Sequence, residues 1–504
     1  GSGSEVIQSG TGLWTVSANA DFTGGTYTAS SSNILRMDGT GTLTSAGNTL
    51  ADLQINSGGT VTLAAATHTV NGNLTLAGAG TPVVTGSTIL MSSSSATIDG
   101  GGKTLNNLTI DPTSAGTITV ETTNLNVTST LLVETGDTLS ISTSRALTHG
   151  GALTLNGTIS GAGRLTYTTS TAFPTTGTMS SILRFDATNN AQTMDARTYG
   201  GQVEVVSNGG TNRTVTMATG TYTFSSNLYL FASSTGNITL DGSTNTATGT
   251  ITSAIDYLGG GSGSETITLA AAPWTISGAL DISAGSFTAP TGTLNLSGNY
   301  TNNNSGTFTH NSGTVILNGS SQQTFGGTMN GGSAFNNLTI TNNSGNEGTP
   351  SVMFNASTTA ATSTIATAST TVQFNASSSF TFSFMNWNGQ ATTTRVKLRS
   401  SASSTTTWLL NVSASGAQTV SNVDAKDSDA SAGDEIAAAD GTNTNSGGNT
   451  NWVFTTTAPT VTSTVNDTLE INAASTSISG INLTSGAGSP GGRFSSSSDI
   501  RLRI

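Results

Sequence analysis

Short bursts of alternating apolar and hydroxyl residues run from one end of the chain to the other. Thr60-Val61-Thr62-Leu63, Asn73-Leu74-Thr75-Leu76, Thr117-Ile118-Thr119-Val120 and Thr266-Ile267-Thr268-Leu269 show the pattern. A period of two puts alternate side chains on opposite faces, so each burst predicts a strand with one apolar and one polar face. Gly, Ser and Asn bound the bursts as turn residues, and β-branched Thr and Val suit a pleated surface. The bursts are short and closely spaced, and disorder would not keep their phase. An all-β chain follows.

The bursts also repeat. Gly1-Ser2-Gly3-Ser4-Glu5 recurs as Gly261-Ser262-Gly263-Ser264-Glu265. Trp14-Thr15-Val16-Ser17 then matches Trp274-Thr275-Ile276-Ser277, and Asp21-Phe22 matches Asp281-Ile282, all at one offset. A second motif runs Leu50-x-x-Leu53-x-Ile55, Leu105-x-x-Leu108-x-Ile110 and Phe335-x-x-Leu338-x-Ile340, with Asn-Asn-Leu-Thr-Ile inside the last two. Degenerate repeats of short strands predict a parallel β-helix, or β-solenoid. Coils of roughly 20–25 residues stacked about 4.8 Å apart would give around 18–20 coils and a rod roughly 90–100 Å long. The competing architecture, a string of β-sandwiches, would use longer strands and Pro-marked linkers. The one such linker is Thr457-Ala458-Pro459-Thr460. The expected organisation is therefore solenoid region 1–260, solenoid region 261–457 with an acidic capping segment at 424–454, and a small β module at 458–504.

Composition narrows the function. Of 504 residues 34% are hydrophobic and only 8% charged, with no Cys and a formal net charge of −12. So few charges cannot decorate many helices. A negative balance offers nothing to the phosphates of nucleic acid or anionic lipid. No stretch approaches the roughly 18 consecutive apolar residues of a membrane helix. Neither nucleic-acid binding nor membrane insertion is therefore expected. A cysteine-free, repetitive chain fits a secreted or cell-surface protein of a prokaryote.

Asn422-Val423-Asp424-Ala425-Lys426-Asp427-Ser428-Asp429-Ala430, followed by Gly447-Gly448-Asn449-Thr450-Asn451-Trp452, resembles a segment of large secreted bacterial repeat proteins. The texture of the whole chain resembles the β-solenoids of filamentous haemagglutinin and autotransporter passengers. That resemblance implies a surface or extracellular role and carries over no catalytic residues.

The search for chemistry starts with histidine, the side chain best suited to catalysis near neutral pH. His68, His149 and His310 lie far apart with Thr, Gly or Asn neighbours, and are expected to be exposed strand or turn residues. Asp99-Gly100-Gly101-Gly102-Lys103-Thr104 imitates a phosphate loop, but Thr97 stands where the motif needs Gly and a strand follows instead of a helix. The glycines are expected to form a tight turn. Trp14, Trp274, Trp387, Trp408 and Trp452 are too dispersed for a sugar platform and read as core or capping residues.

Acidic residues concentrate in one place, at Asp424, Asp427, Asp429, Asp434, Glu435 and Asp440. Two readings stand for Asp424, Asp427, Asp429, Asp434 and Glu435: a structural Ca²⁺ site built of hard oxygen ligands, or a solvated turn with a short 434–440 helix over the last coil. The second is the expected one, with no cofactor. A polysaccharide-cleaving site would need Arg, Lys or aromatic neighbours that 424–440 does not supply. Thr-x-Thr pairs such as Thr40-x-Thr42-x-Thr44, Thr166-x-Thr168 and Thr307-x-Thr309 resemble an ice-binding face. In a chain this rich in Thr, however, their number matches composition and their spacing is irregular.

The strand Asp499-Ile500-Arg501-Leu502-Arg503-Ile504 puts Ile500, Leu502 and Ile504 on one face and Arg501 and Arg503 on the other. It is expected to pair with the edge of a second copy, giving head-to-tail assembly. The leading expectation is an extracellular structural protein, a surface fibre, filament subunit or adhesin stalk that self-associates and displays itself to cell-surface glycans. The alternative is a carbohydrate-binding or polysaccharide-cleaving β-helix.

Overall fold

Alternation becomes architecture through the backbone ladder. In the computed structural model, Ile118, Leu139, Ile159, Met179, Tyr199, Phe224, Ile251 and Ile276 occupy one register position in successive parallel strands. Each is at most 1% exposed. Burying one such side chain contributes about 1.5–3 kcal/mol, so an inward column recurring coil after coil dominates stability. The model describes residues 5–8, 12–28, 30–186, 191–207, 211–232, 236–243, 247–257, 264–269, 273–282, 285–303, 305–402, 406–413, 416–455, 460–463 and 481–484.

The fold is a parallel β-solenoid of about 18 turns, as expected. The chain divides into two compact units, Gly1–Leu294 with Asn303–Asn311, and Asn295–Asn302 with Ser312–Ile504. Among the described residues the one helical element is a 3-10 turn at Gly331–Ser333.

In the first unit the coil wall is made of several parallel sheets. The first sheet runs through Asn33–Met37, Thr117–Val120, Thr158–Ser160 and Gly220–Phe224. A second contains Thr67–Val70, Thr104–Ile110 and Arg164–Tyr167, and a third contains Arg213–Met217 and Glu265–Thr268. Where the coils widen, aromatics replace aliphatics in the core: Tyr199 stacks on Phe224 at 5.5 Å, and Tyr222 on Trp274 at 6.3 Å.

The second unit has a buried aromatic column. Tyr300, Phe325, Phe354, Phe374 and Trp408 follow one another with ring centroids 5.5, 5.7, 5.8 and 4.1 Å apart. Phe325, Phe354 and Phe374 also share one register position.

Partners in successive coils lie from 16 residues apart (Ile436 and Trp452) to 33 apart (Met385 and Gln418), a wider range than expected. Corners lengthen outward without disturbing the ladder, so coil length is free to vary. The second motif marks such a corner. At Leu105–Ile110 the register shifts between Leu105 and Asn107, and Asn107 bonds the Ser87 carbonyl at 3.0 Å and the Thr130 amide at 3.1 Å. Its apolar positions are buried in all three copies. In the first copy, though, Leu50 and Leu53 belong to strands of different sheets.

The turn expected at 100–102 is present. Gly101 and Gly102 have φ of 56° and 68°, and a Cβ on Gly101 would strike the Leu76 carbonyl. The strand Thr104–Ile110 follows it directly.

The expected 434–440 helix is absent. Ile436–Ala437 is instead a short strand paired in parallel with Trp452–Val453, so the ladder overrides the helix propensity of the alanines. Of 458–504 only Thr460–Ser463 and Ile481–Thr484 are described, and they pair antiparallel, unlike the coils. The assembly strand carrying Ile500, Arg501, Leu502, Arg503 and Ile504 lies outside the described residues.

Candidate functional site

The outer face of one sheet in the second unit carries an unusual charge density for this chain. Strand Val396–Ser400 turns Val396 and Leu398 inward, which leaves Lys397 and Arg399 outside. The ladder sets Gln373 beside Arg399 and Lys397 beside Asp424, and Lys426 continues the Arg399 rank one coil on.

Glu347 reaches this face from a loop between the strands Phe335–Ile340 and Val352–Phe354. The root of the loop is fixed by buried Asn342, whose amide donates to the Ser321 carbonyl at 2.8 Å and the Ser351 carbonyl at 3.0 Å. Its tip is turned by Asn346, whose side-chain oxygen accepts from the Gly348 and Thr349 amides.

Arg399 sits at the centre. One guanidinium nitrogen lies 2.7 Å from Glu347 Oε1 and 2.7 Å from Asp424 Oδ2. The other donates to the Asp424 carbonyl at 2.8 Å. Ser446 donates to Asp424 Oδ1 at 2.6 Å, and Lys397 Nζ stands 3.3 Å from Glu347. Arg399 and Asp424 are only 13% and 14% exposed while Glu347 is 56% exposed, so the first pair clamps two coils and the second tethers a loop in water.

Burial alone would lower the guanidinium's pKa, but its bonds to Asp424 and Glu347 outweigh that and raise it. The hydrogen bond from Arg399 holds the Glu347 carboxyl below its ordinary range. A cavity of about 420 Å³ opens here, lined in part by Glu347, Gln373, Arg399, Lys426, Asp427 and Ser446. That volume suits a small ligand or a few sugar rings.

The segment 424–440 holds no basic residue besides Lys426, but the fold brings others to it. Arg399 and Lys397 are supplied by the previous coil. The five residues considered for Ca²⁺ are not gathered. Asp424 is held by Arg399 and Ser446, while Asp427 lies on the next corner at φ 54°. Asp429 turns back to accept from the Ser431 amide, and Asp434 and Glu435 belong to the corner leading into Ile436–Ala437. Among the described residues no three His, Cys, Asp or Glu side chains form a metal-holding group.

Two histidines depart from expectation. His68 and His149 are fully buried, and only His310 is partly exposed. His68 is satisfied by Ser45 Oγ and the Ala64 carbonyl, both at 3.0 Å. The ring of His149 faces Tyr167 at 6.1 Å, and neither of its nitrogens makes a hydrogen bond of good geometry. Both residues are structural, far from the cleft in sequence and packed inside coils of the first unit. Trp274, Trp387 and Trp408 are core residues, and Trp14 packs edge-on against Tyr27 at 5.7 Å. A second charged group, Arg164–Glu204–Arg184 at 3.0 and 2.7 Å, ties neighbouring coils of the first unit.

No family model, curated protein or solved structure matches the chain.

Proposed function

We propose that the protein is an extracellular structural element, a surface stalk or filament subunit, and that its second unit holds a glycan in the Arg399 cleft. The structural reading is supported by the continuous buried columns of each unit, in which strands bond chiefly to the coils before and after them. Such stacking adds stability by nearest-neighbour increments and suits a load-bearing element. Assembly through the alternating sequence that carries Ile500, Leu502 and Ile504 belongs to the same proposal. Electron microscopy of purified protein at rising concentration is expected to show filaments of constant width. Isolated short particles at every concentration would refute assembly.

The glycan reading rests on one observation: Arg399, held by Glu347 and Asp424, lines a polar cavity together with Glu347, Asp427 and Lys426. Carboxylates accept from sugar hydroxyls, and Lys426 and Arg399 donate to ring or uronate oxygens. A general acid needs a raised pKa, and that of Glu347 is lowered. Binding without cleavage is therefore the expected outcome. On a glycan array the protein should retain discrete ligands, and Arg399→Ala should weaken them by roughly 10–100-fold, the worth of a charged hydrogen bond. A reducing-end assay should stay flat. Unchanged binding by Arg399→Ala would dismiss the cleft.

A further inference from the structure

The Thr-x-Thr pairs singled out in the sequence fall on other sheets, but the first sheet of the first unit carries a regular lattice of hydroxyl residues. In the first sheet Thr117 pairs with Thr138, Thr138 with Thr158, and Thr158 with Thr178. The Met179–Tyr199 pair sets Thr198 beside Thr178. Thr198 then pairs with Thr223, Thr223 with Thr250, and Thr250 with Thr275. Eight successive coils thus present a threonine at one outward position, each half-exposed or exposed.

Two residues along each strand a second rank follows: Thr119, Ser140, Ser160, Ser180, Gly200, Ser225, Thr252 and Ser277. Its backbone stays in the ladder, as in the bonds from Ser180 N to the Ile159 carbonyl and from Ser225 N to the Tyr199 carbonyl, both 2.9 Å. Neither rank contains a charged or aromatic residue.

Thr abundance alone does not produce this. In the second sheet of the same unit the outward positions mix Thr88, Thr109, Thr130 and Thr154 with Leu90, Asn107, Leu132, Arg184 and Tyr229. The third sheet repeats the two-rank pattern in Thr214-x-Thr216, Thr266-x-Thr268, Ser286-x-Thr288 and Thr307-x-Thr309, but Asp241 interrupts it.

We propose that the hydroxyl lattice over 117–277 binds the surface of ice. Within a rank the side chains stand about 4.8 Å apart from coil to coil, and the two ranks lie about 6.7 Å apart along a strand, two repeats close to oxygen spacings in hexagonal ice. The lattice is rigid because the residue after each first-rank threonine is a core residue at most 1% exposed, from Ile118 to Ile276. Threonine's branched side chain is stiff at χ1, which fixes a hydroxyl and a methyl at each point. The hydroxyls hydrogen-bond lattice water, and the methyls release theirs on contact. Charges would keep their own hydration shells, and the face has none. A crystalline polysaccharide would call for aromatic platforms, which the face also lacks.

The test uses the full chain in an ice-recrystallisation assay, with thermal hysteresis measured alongside. The wild-type protein is expected to arrest crystal growth. Thr158→Lys combined with Thr223→Lys should lose that activity, while Thr109→Lys with Thr154→Lys, on the second sheet, should keep it. Circular dichroism checks folding. Should the first pair misfold, Thr158→Ser with Thr223→Ser removes only methyls and is expected to weaken arrest. Arg399→Ala should leave ice activity intact, which separates this face from the glycan cleft. Inactive wild-type protein, equal losses in both lysine pairs, or full activity in the Thr158/Thr223 variants would overturn the proposal. So would retention on crystalline cellulose or chitin without any effect on ice.

Discussion

Trp408→Ala is expected to destabilise the second unit by about 3–5 kcal/mol, the range for removing a large buried aromatic. Trp408 is fully buried and stacks on Phe374 at 4.1 Å with an interplanar angle of 18°. It closes the column that begins at Tyr300, so its loss leaves one face of Phe374 unpacked. The indole also donates to the Lys426 carbonyl at 3.3 Å, and strand Trp408–Val412 pairs with Ser428–Asp429. The void would therefore lie beneath the coil that carries Asp424 and Lys426.

Two companion results sharpen this expectation. Trp408→Phe keeps a stacked ring and loses the indole bond, so it should cost nearer 1 kcal/mol. Hydrogen exchange should rise around 408–430 and stay unchanged in 117–160, because a solenoid transmits strain mainly to neighbouring coils. Urea unfolding followed by that exchange makes the measurement. A cost below about 1 kcal/mol for Trp408→Ala would mean that the aromatic column carries little of the unit's stability.

How much of this could be read from the sequence depends on distance along the chain. Strands such as Thr117–Val120 were legible because their period-two pattern is local, and the ladder confirms the inward faces. Register was not legible. Thr178 to Thr198 is a shorter step than Thr223 to Thr250, since corners absorb the difference, so a lattice regular in space looks irregular in sequence. The cleft failed for the same reason. Asp424 was visible, but Arg399 and Glu347 come from other coils, and Glu347 from a loop whose reach no local pattern gives.

The histidines are different, because a signal was there. In Ala146-Leu147-Thr148-His149, parity places His149 on the same face as Leu147, and His68 shares its face with Val70. Polar neighbours suggested exposure where alternation pointed inward. In the 434–440 segment the conflict runs the other way: local propensity favours a helix, but the coil continues its ladder.

That inward histidine is expected to make the first unit acid-sensitive. Burial lowers the pKa of His149 from 6.5 to about 4, with nearby backbone groups of Val127, Ala152 and Gly151 only partly opposing the shift. A base whose folded pKa lies below its unfolded value stays neutral in the fold while the unfolded chain takes up a proton. Between those two values the unfolded state binds more protons, so stability falls as pH falls through 6.5 and levels off near 4. The shift corresponds to about 3 kcal/mol in full, of which about 2 kcal/mol is lost by pH 5. His68 is shifted the same way by burial and adds to the effect. Urea denaturation at pH 7 and pH 5 is expected to show the first unit weakening. His149→Leu replaces the ring with an aliphatic side chain like that of its register neighbour Val127, and should flatten most of the slope. It should also leave the variant the more stable protein at pH 5. An equal pH slope in the variant and the wild type would show that His149 titrates freely, as an exposed ring does.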